Sequence, residues 1–446
     1  MKFITSLKDL GTYLDVSITK DILIKGISTD TRTIKKDDLF IAIKGDSFNG
    51  NQFVKDALQK GASAAIVDDK SFYQDKDKKI IYVKNSISAL AKIAKNIINS
   101  YQGKVIAITG SNGKTSTTNI LSETLKKSSK TIGNYNNEIG MPLSVISASK
   151  KSKCLVLEIG ASKFGDIDYL SKILRPHIGI ITNIGHSHLE ALKDIEGVLK
   201  VKSEMVQNIK SGGFLIVPNE NKEHLAYWKK IRDDIKIITF GISKSADFYS
   251  TKVKLDTNGS DFFIESRYLN KKLHIKTPLE GGHNIRNILA SCAAHYCLNE
   301  NLDDLVKKLN LNKLKGLRQI KSKWIKGSTL INDTYNANPD STKKSIDLLS
   351  NYKKNTVLVL GDMLELGRYK NKLHKEVGMY AKKKGIDVLL GYGGLTKYTI
   401  DGFGKEGIFF KDEKDLKAYL KQNITSKNVI LIKGSRGMKM ERFINV

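Results

Sequence analysis

Cysteines and long apolar runs are scarce in this chain of 446 residues. Its three cysteines, Cys154, Cys292 and Cys297, are too few for a disulfide framework. No segment approaches the roughly 20 consecutive apolar residues that a membrane-spanning helix needs. The first residues, MKFITSLKDLGTYLDV, are interrupted by charges, unlike the apolar core of a signal peptide. We therefore expect a cytoplasmic protein without membrane insertion.

Acidic residues are few relative to basic ones. The chain has 75 lysines and arginines against 46 aspartates and glutamates, which gives a formal net charge of +29. Such an excess can indicate nucleic-acid binding. However, the positive residues are scattered, and no basic motif with interleaved aromatic residues occurs. We therefore predict no nucleic-acid partner, and we expect the positive field to steer small anionic substrates.

The length suggests more than one domain, and the apolar segments fall into three blocks. We predict domains at residues 1–100, 101–314 and 315–446. In the second and third blocks, short apolar strands alternate with helical patterns, which favours open sheets covered by helices. The predicted fold class is α/β, with a small N-terminal α/β domain, a central domain with a parallel or mixed sheet, and a C-terminal Rossmann-like open sheet. The third block lacks G-x-G-x-x-G, which argues against a nicotinamide or flavin cofactor.

The expected strands can be placed from these apolar segments. They are Ile22–Ile24, Leu39–Ile43, Ala64–Val67, Val105–Ile108, Leu155–Leu157, Ile178–Ile181, Phe214–Val217, Leu330–Ile331, Val357–Leu360, Val388–Leu390 and Val429–Ile432.

The segment VIAITGSNGKTSTTNIL, residues 105–121, resembles a phosphate-binding loop with shortened spacing. Gly110 lies only three residues before Gly113, whereas the usual motif is G-x-x-x-x-G-K-[ST]. Placed between a strand and a helix, the loop would still let backbone N–H groups and the helix N-terminus approach phosphates. Lys114 would reach the β- and γ-phosphates, and Thr115 would hold Mg²⁺. The alternative is an ordinary glycine-rich turn.

Polar residues follow two further strands at the same predicted edge. Glu158 ends the run CLVLE, where a carboxylate either binds a hard cation, directly or through water, or faces solvent. His186 and His188 follow the next strand, within ITNIGHSHLE. Their position leaves a metal or substrate contact and a capping or packing role equally open, and the spacing of zinc ligands is absent.

Lys202 falls on the apolar stripe of a predicted helix, together with Ile195, Val198 and Leu199. Burying a lone ammonium group is costly. Lys202 therefore snorkels to the surface, pairs with an opposite charge, or is chemically modified. The sequence does not choose among these.

Two further groups of polar residues lie in loops or at helix starts. Asn284 and Asn287 are one helical turn apart, where they would either read the edge of a base or serve as a helix cap. In the third block, the acidic pair Asp362 and Glu365 and the basic pair Lys433 and Arg436 follow strands, and together they would suit a zwitterionic ligand.

The combined motifs resemble those of the Mur ligases over nearly the whole chain. The match includes STDTRTIKKDDLFIAIKGD, TGSNGKTS, RPHIGIITNIGHSHLE, VKSEM, GGHNIRN and KGSRGMKME. The segments NYNNEIGMPL, YNANP and GDMLELG resemble the family member that joins D-alanyl-D-alanine to UDP-N-acetylmuramoyl-tripeptide. The resemblance implies a monomeric, three-domain ligase that uses ATP and Mg²⁺ in peptidoglycan precursor synthesis. Its central domain would be a phosphate-loop ATPase. It also implies phosphorylation of a peptide carboxylate by ATP, followed by attack of the dipeptide amine on the acyl phosphate.

The resemblance also implies roles for individual residues. The catalytic residues would be Lys114, Glu158, His188 and Lys202. ATP would be bound by Gly110, Ser111, Asn112, Gly113, Lys114, Thr115, Ser116, Asn284, Asn287, Arg318 and Asp333. Mg²⁺ would be held by Thr115, Glu158, His188 and a carbamylated Lys202. The substrates would contact Ser28, Arg32, Asn136, Asn137, Ser162, Tyr335, Asn336, Asn338 and Asp362.

One departure from the family pattern and several alternatives remain. Members of the family often carry Asp-Gly-His where this chain has FNGNQF, so the uridine contact there is in doubt unless Asn49 or Asn51 replaces it. A diaminopimelate-adding relative would carry D-N-P-R, which is absent. Folylpolyglutamate synthetase should lack YNANP and the first domain. A nucleotide-regulated binding module and a nucleic-acid-stimulated ATPase are the alternatives from other classes.

Overall fold

The chain folds around three sheets, each built from its own stretch of sequence. The computed structural model describes residues 3–18, 20–45, 48–73, 79–311, 320–352 and 355–445. We refer to the three parts as the N-terminal, central and C-terminal units. None of the helices that lie within these ranges is long and apolar enough to span a bilayer.

The N-terminal unit is a four-stranded parallel sheet with the strand order β1-β2-β3-β4. Its strands are β1 Gly26–Ser28, β2 Asp38–Ile41, β3 Ala64–Val67 and β4 Ile80–Tyr82, and its helices are α1 Leu7–Leu14, α2 Val54–Gln59 and α3 Ser86–Ser100. All residues of β2 and β3 are buried, so the two inner strands form the core of this unit. The Ser6 side chain begins α1 by accepting a hydrogen bond from the backbone N–H of Asp9.

The central unit contains a nine-stranded mixed sheet with the order β13-β12-β11-β10-β9-β8-β5-β7-β6. Its strands are β5 Lys104–Thr109, β6 Ser128–Lys130, β7 Cys154–Glu158, β8 Ile178–Ile181, β9 Phe214–Pro218, β10 Lys236–Gly241, β11 Phe248–Asp256, β12 Gly259–Ser266 and β13 Leu273–Thr277. Its helices are α4 Lys114–Thr124, α5 Gly140–Ile146, α6 Asp166–Leu174, α7 Leu189–Leu192, α8 Ile195–Ser203, α9 Lys222–Ile231, α10 Gly282–Cys297 and α11 Leu302–Asn310. Because β8, β5 and β7 are parallel neighbours, the loops after them leave the same edge of the sheet side by side.

The C-terminal unit is a six-stranded sheet with the order β14-β15-β19-β16-β17-β18. Its strands are β14 Ile320–Lys323, β15 Thr329–Asp333, β16 Thr356–Gly361, β17 Val388–Tyr392, β18 Gly407–Phe410 and β19 Val429–Lys433, and its helices are α12 Pro339–Ser350, α13 Lys370–Lys383, α14 Thr396–Phe403 and α15 Glu413–Asn423. The strand β14 pairs antiparallel with β15, and the other pairs are parallel. The loops after β15, β16 and β19 therefore lie together at one edge.

The predicted strands of the second and third blocks all lie inside observed strands, and the α/β fold class is confirmed. The strand predicted at Ile22–Ile24 is wrong. There, Leu23 is exposed and forms only an isolated bridge with Ser6. The first strand of the sheet, β1, begins two residues after Ile24, at Gly26. The antiparallel strands β11, β12 and β13 were missed, although β13 shows the strict alternation of buried and exposed residues that marks a strand with one solvated face.

Candidate functional site

The phosphate-loop candidate lies between β5 and α4, where the sequence requires glycine at two positions. Gly110 has a φ of 142° and Gly113 a φ of 83°, which side chains with a Cβ rarely adopt. A Cβ at Gly110 would collide with Oγ1 of Thr182, and one at Gly113 would lie 2.6 Å from Oδ1 of Asn287. The loop is therefore held against two other polar segments, and α4 begins directly at Lys114.

Hydrogen bonds from its own lysine and from the segment after β8 fix the shape of this loop. The Lys114 ammonium donates to the Gly110 carbonyl oxygen at 2.7 Å. The backbone N–H of Asn112 donates to Oδ1 of Asn183 at 3.0 Å, and its carbonyl accepts from Thr182 Oγ1 at 2.5 Å. The contribution of Thr182 and Asn183 was not predicted, although their position after a strand was the available signal.

A hydroxyl and a carboxylate, both possible ligands for a metal ion, meet beside the loop. Thr115 Oγ1 donates to Oε2 of Glu158 at 3.3 Å, and the Glu158 residue is only 2% exposed. The solvated alternative for Glu158 is therefore wrong. Among the described residues, no group of three or more His, Cys, Asp or Glu side chains could hold a metal ion. A hydroxyl and a carboxylate nevertheless suit Mg²⁺, which usually takes one or two protein carboxylates and completes its shell with phosphates and water.

His188 connects the central unit to the C-terminal unit. It lies at the start of α7 with a φ of 53°, and its Nδ1 is 2.7 Å from Oε2 of Glu365. This hydrogen bond lowers the pKa of the Glu365 carboxyl. The backbone N–H of Glu190 also donates to the carbonyl oxygen of Glu365, at 3.0 Å. His188 therefore lines the site and contacts a carboxylate from the opposite unit.

Lys202 is buried in α8, as the apolar stripe predicted, with 1% of its surface exposed. Burial, and the nearby positive charge of Lys114, lower the pKa of Lys202 to about 7, while the negative charges of Asp166 and Glu204 oppose this effect. The snorkelling alternative is therefore wrong, because the side chain does not reach the surface. An amine with this pKa is substantially neutral near pH 7, and a neutral amine is nucleophilic.

Asn284 and Asn287 lie in the first turns of α10 and face the loop. The helix is capped by Gly281 without a side-chain hydrogen bond, so the capping role for Asn284 is wrong. Instead, the Asn287 amide donates to Oδ1 of Asn284 at 3.3 Å, and Thr117 Oγ1 donates to Oδ1 of Asn287 at 3.4 Å. The Asn284 amide in turn donates to the Glu280 carbonyl oxygen at 2.8 Å, so the two side chains form one connected group beside the loop.

On the C-terminal side, three of the four charged residues expected to suit a zwitterionic ligand, Glu365, Lys433 and Arg436, line the cavity between the central and C-terminal units, and Asp362 does not. Lys433 pairs with Asp333 at 2.7 Å, and both residues are buried. The Asp362 carboxylate accepts the backbone N–H groups of Leu395 and Thr396, both at 2.9 Å. Burial raises the pKa of Asp362 despite these hydrogen bonds. Asp362 thus serves the start of α14 in this structure, because the loop after β16 turns toward the loop after β17.

One cavity of about 960 Å³ lies between the central and C-terminal units. Sixteen of the predicted site residues line it: Ser111, Asn112, Gly113, Lys114, Ser116, Asn136, Asn137, Glu158, Ser162, His188, Asn284, Asn287, Asp333, Tyr335, Asn336 and Asn338. Gly110 and Thr115 contact lining residues. Lys202 and Asp362 lie outside the lining, and Arg318 lies outside the described residues.

The predicted uridine contacts lie elsewhere, in the N-terminal unit. Ser28 ends β1 and its hydroxyl donates to the Asp30 carbonyl oxygen at 2.9 Å, while the Arg32 guanidinium pairs with the Asp30 carboxylate at 2.6 Å. Asn51, which the departure from the family pattern singled out, is fully buried and donates to Asp68 at 2.8 Å. Its amide is therefore committed within the fold.

Sequence reasoning missed several lining residues that bring charge or a titratable ring to the cavity. They include His283, Arg286, Asp340 and Lys344. Asp340 accepts from the His186 backbone N–H at 2.6 Å and lies 3.1 Å from its Nδ1, a contact that raises the pKa of His186. Burial and the neighbouring Arg286 lower the pKa of Lys344. Helical position alone gives no signal for such residues, because the ring and charges converge only once the two units meet.

Comparisons with known proteins match this chain to one protein family. The Mur ligase middle domain matches residues 108–295, the glutamate ligase domain of Mur ligases matches 318–436, and the catalytic domain of the Mur ligase family matches 23–97. A UDP-N-acetylmuramoyl-tripeptide--D-alanyl-D-alanine ligase of Bacillus subtilis is 35% identical over 95% of this chain and 93% of its own length.

Solved structures are similar over the whole chain as well. MurF from Acinetobacter baumannii has a TM-score of 0.87 at 28% identity, with 98% of this chain and 97% of that chain covered. MurF ligase from Thermotoga maritima, solved in complex with ADP, has a TM-score of 0.82 at 27% identity, with 96% and 98% covered. Because family models, curated relatives and solved structures all match it over most of its length, this chain belongs to the Mur ligase family.

Proposed function

We propose that this protein joins D-alanyl-D-alanine to UDP-N-acetylmuramoyl-tripeptide with hydrolysis of ATP to ADP and phosphate, as the relatives named for that reaction do. The observation that carries the proposal is one cavity shared by the phosphate loop and the loop YNANP. A ligase needs the phosphoryl donor, the carboxylate and the amine in one enclosure. The cavity is large enough to enclose reacting groups, and it is lined by polar side chains from both units.

The chemistry has two steps. A carboxylate oxygen of the peptide attacks the γ-phosphorus of ATP, and ADP leaves with the electron pair of the broken P–O bond. The dipeptide amine then attacks the carbonyl carbon of the acyl phosphate, loses a proton, and displaces phosphate from a tetrahedral intermediate. Both steps depend on positioning and on neutralisation of charge.

The nucleotide side of the cavity is proposed to use three groups. Lys114, which already lies inside the loop, would exchange its Gly110 carbonyl for the β- and γ-phosphates. The Asn284 and Asn287 amides would form hydrogen bonds with the edge of the adenine base, and Asp333 would contact the ribose. Arg318 stays a prediction for phosphate binding from the third domain.

Thr115 and Glu158 are the residues proposed to hold Mg²⁺, which would neutralise phosphate charge, with His188 contributing partly through water. Lys202 is proposed to be carbamylated. Its neutral amine would attack CO₂ and release a proton, leaving a carbamate anion that helps hold a second ion. The burial of Lys202 and its lowered pKa support this idea, because they favour the neutral amine that reacts with CO₂.

The substrates are proposed to occupy separate parts of the molecule. Residues 1–100 would bind the uridine end through Ser28 and Arg32, residues 101–314 would bind ATP, and residues 315–446 would present the dipeptide. Asn136, Asn137 and Ser162 would contact the muramyl-peptide, and Tyr335, Asn336 and Asn338 the dipeptide. Asp362 is proposed to act at the dipeptide end only through the loop that it anchors. A cytoplasmic monomer also stays a prediction.

The deciding assay is phosphate release from ATP with UDP-N-acetylmuramoyl-tripeptide, measured with and without D-alanyl-D-alanine. We expect dipeptide-dependent release and an equal amount of new amide. Phosphate release that is indifferent to the dipeptide would sink the proposal. Release stimulated by nucleic acid would support the other ATPase class instead.

The carbamate has its own test. We expect Lys202→Ala to lose most ligase activity and short carboxylic acids such as acetate to restore part of it, because an added carboxylate can replace the missing anion. Lys200→Ala on the same helix is the matched control and should retain activity. Full activity in Lys202→Ala would remove the carbamate from the mechanism.

A further inference from the structure

Two residues of the central unit contact two residues of the C-terminal unit beside the phosphate loop. We call them the clasp: Asn112 and His186 of the central unit, and Asn338 and Asp340 of the C-terminal unit. The Asn338 amide donates to Oδ1 of Asn112 at 2.9 Å, and the Asn112 amide donates back to Oδ1 of Asn338 at 3.3 Å. Asp340 accepts the His186 backbone N–H and contacts its ring.

Both halves of the clasp are held rigidly within their own units. On the central side, the Asn183 side chain donates to the Asn112 carbonyl at 2.9 Å and also accepts from the Asn112 backbone. On the other side, Asn338 caps α12 in a capping box with Ser341. Side chains anchored in this way restrict the movement of the two loops relative to each other.

The backbone at the clasp is also closely fitted. A Cβ at Gly185 would collide with Oδ2 of Asp340. The Ser111 hydroxyl, within the phosphate loop, donates to the Gly185 carbonyl and accepts from the Gly185 N–H, both at 3.0 Å. Gly185 therefore permits the carboxylate of one unit to reach the backbone of the other.

We propose that the clasp positions the amine of the incoming dipeptide against the acyl phosphate. This inference rests on the proposed function. Tyr335 and Asn336 precede Asn338 on the same loop, so fixing Asn338 to Asn112 fixes their distance from the phosphate loop. Misplacement of reacting groups by about 1 Å can reduce a rate about 100-fold. His186 and Asp340 are thus positioning residues, which act through the loops that they join.

A positioning role and a merely structural one predict different product ratios. A loosened clasp leaves phosphorylation of the carboxylate possible but lets water compete with the amine for the acyl phosphate. We therefore expect Asp340→Ala to lower the ratio of amide formed to phosphate released several-fold, with an amide-forming kcat reduced about 10-fold or more. Asp347→Ala, on the same helix but beside Lys384 and Tyr380, should keep the wild-type ratio.

Gly185→Ala provides a second, steric perturbation that removes no polar group. It should lower the same ratio, because its methyl group pushes Asp340 away. The double variant Gly185→Ala/Asp340→Ala should be no worse than the more impaired single variant, since the clash disappears with the carboxylate.

The outcomes separate the clasp from the proposed function. A wild-type ratio in both Asp340→Ala and Gly185→Ala would overturn the clasp, and so would multiplicative effects in the double variant. Dipeptide-independent phosphate release by the unaltered protein would instead overturn the proposed function, whatever the variants do. Thermal unfolding of each variant checks that the fold persists.

Discussion

Replacing Lys202 by methionine should make the protein more stable and inactive at once. Methionine has a similar length and no charge, so it can fill the same space in α8. The pKa of Lys202 falls from 10.5 to about 7 in the folded protein. At about 1.4 kcal/mol per pH unit, this difference sets a ceiling of about 5 kcal/mol on the destabilisation caused by the buried ammonium. We expect Lys202→Met to raise the free energy of unfolding by several kcal/mol. The gain would equal the full value of about 5 kcal/mol only if methionine packs without strain.

The two tryptophans of the chain allow the central unit to be followed alone. Trp228 is fully buried and its Nε1 donates to Oγ of Ser203, the neighbour of Lys202, at 2.8 Å. Trp324 lies in the C-terminal unit. Urea unfolding in a Trp324→Phe background, followed by fluorescence, therefore reports on the unit that contains the substitution, which avoids treating a multidomain protein as two-state. Bicarbonate-free buffer keeps Lys202 unmodified.

The reasoning has a clear point of failure. A Lys202→Met protein that is less stable than its parent by more than about 1 kcal/mol would show that the lysine contributes favourable contacts exceeding its desolvation. Retained ligase activity in the same variant would show that the ammonium, or its carbamate, is not needed. Lys200→Met is the matched control, because Lys200 is exposed and its loss should leave stability within about 0.5 kcal/mol.

Three further predictions concern stability. Asp333→Asn leaves the Lys433 ammonium buried without its anion, so we expect a loss of about 3–5 kcal/mol in the C-terminal unit, measured by Trp fluorescence in urea; a loss below 1 kcal/mol would contradict this. Gly393→Ala combines a φ of 107° with a Cβ 2.8 Å from Asp362 Cγ, and should lower the melting temperature of that unit by several degrees, about 1–3 kcal/mol. Burial lowers the pKa of His177 to about 4, so the unfolded chain binds the extra proton first, and stability should fall as the pH drops from 6.5 toward 4; an equal fall in His177→Gln would assign the effect to other groups.

Local pattern was sufficient for the parts of the fold that depend on single strands. The buried runs around Ile108 and Ile180 could be read from composition, and parallel pairing then placed Glu158 beside the phosphate loop. Lys202 was predictable for the same reason, because helical spacing alone put it among apolar neighbours.

Contacts between residues far apart in the sequence were beyond such reasoning. Lys433 was expected to serve a ligand with Asp362 nearby, but its partner is Asp333, the last residue of the neighbouring strand β15 in the same sheet. Asp340 looks like an ordinary acidic residue in the first turn of a helix, and nothing in the sequence shows that it meets His186, 154 residues earlier. The first pairing depends on the order of strands within one sheet and the second on how two sheets are oriented, and no periodicity encodes either.

The hydrogen bond between Lys114 and the Gly110 carbonyl has a consequence for turnover. Because the ammonium is already held at 2.7 Å within its own loop, binding a nucleotide replaces one partner by another and immobilises no long, freely rotating side chain. The conformational entropy of the Lys114 side chain is therefore lost when the protein folds and not when the nucleotide binds, as in other preorganised sites. The same carbonyl competes with the phosphates when ADP departs, so it weakens product retention as well. In a ligase that must release a nucleotide product, the Gly110 carbonyl therefore favours fast release of ADP over tight binding.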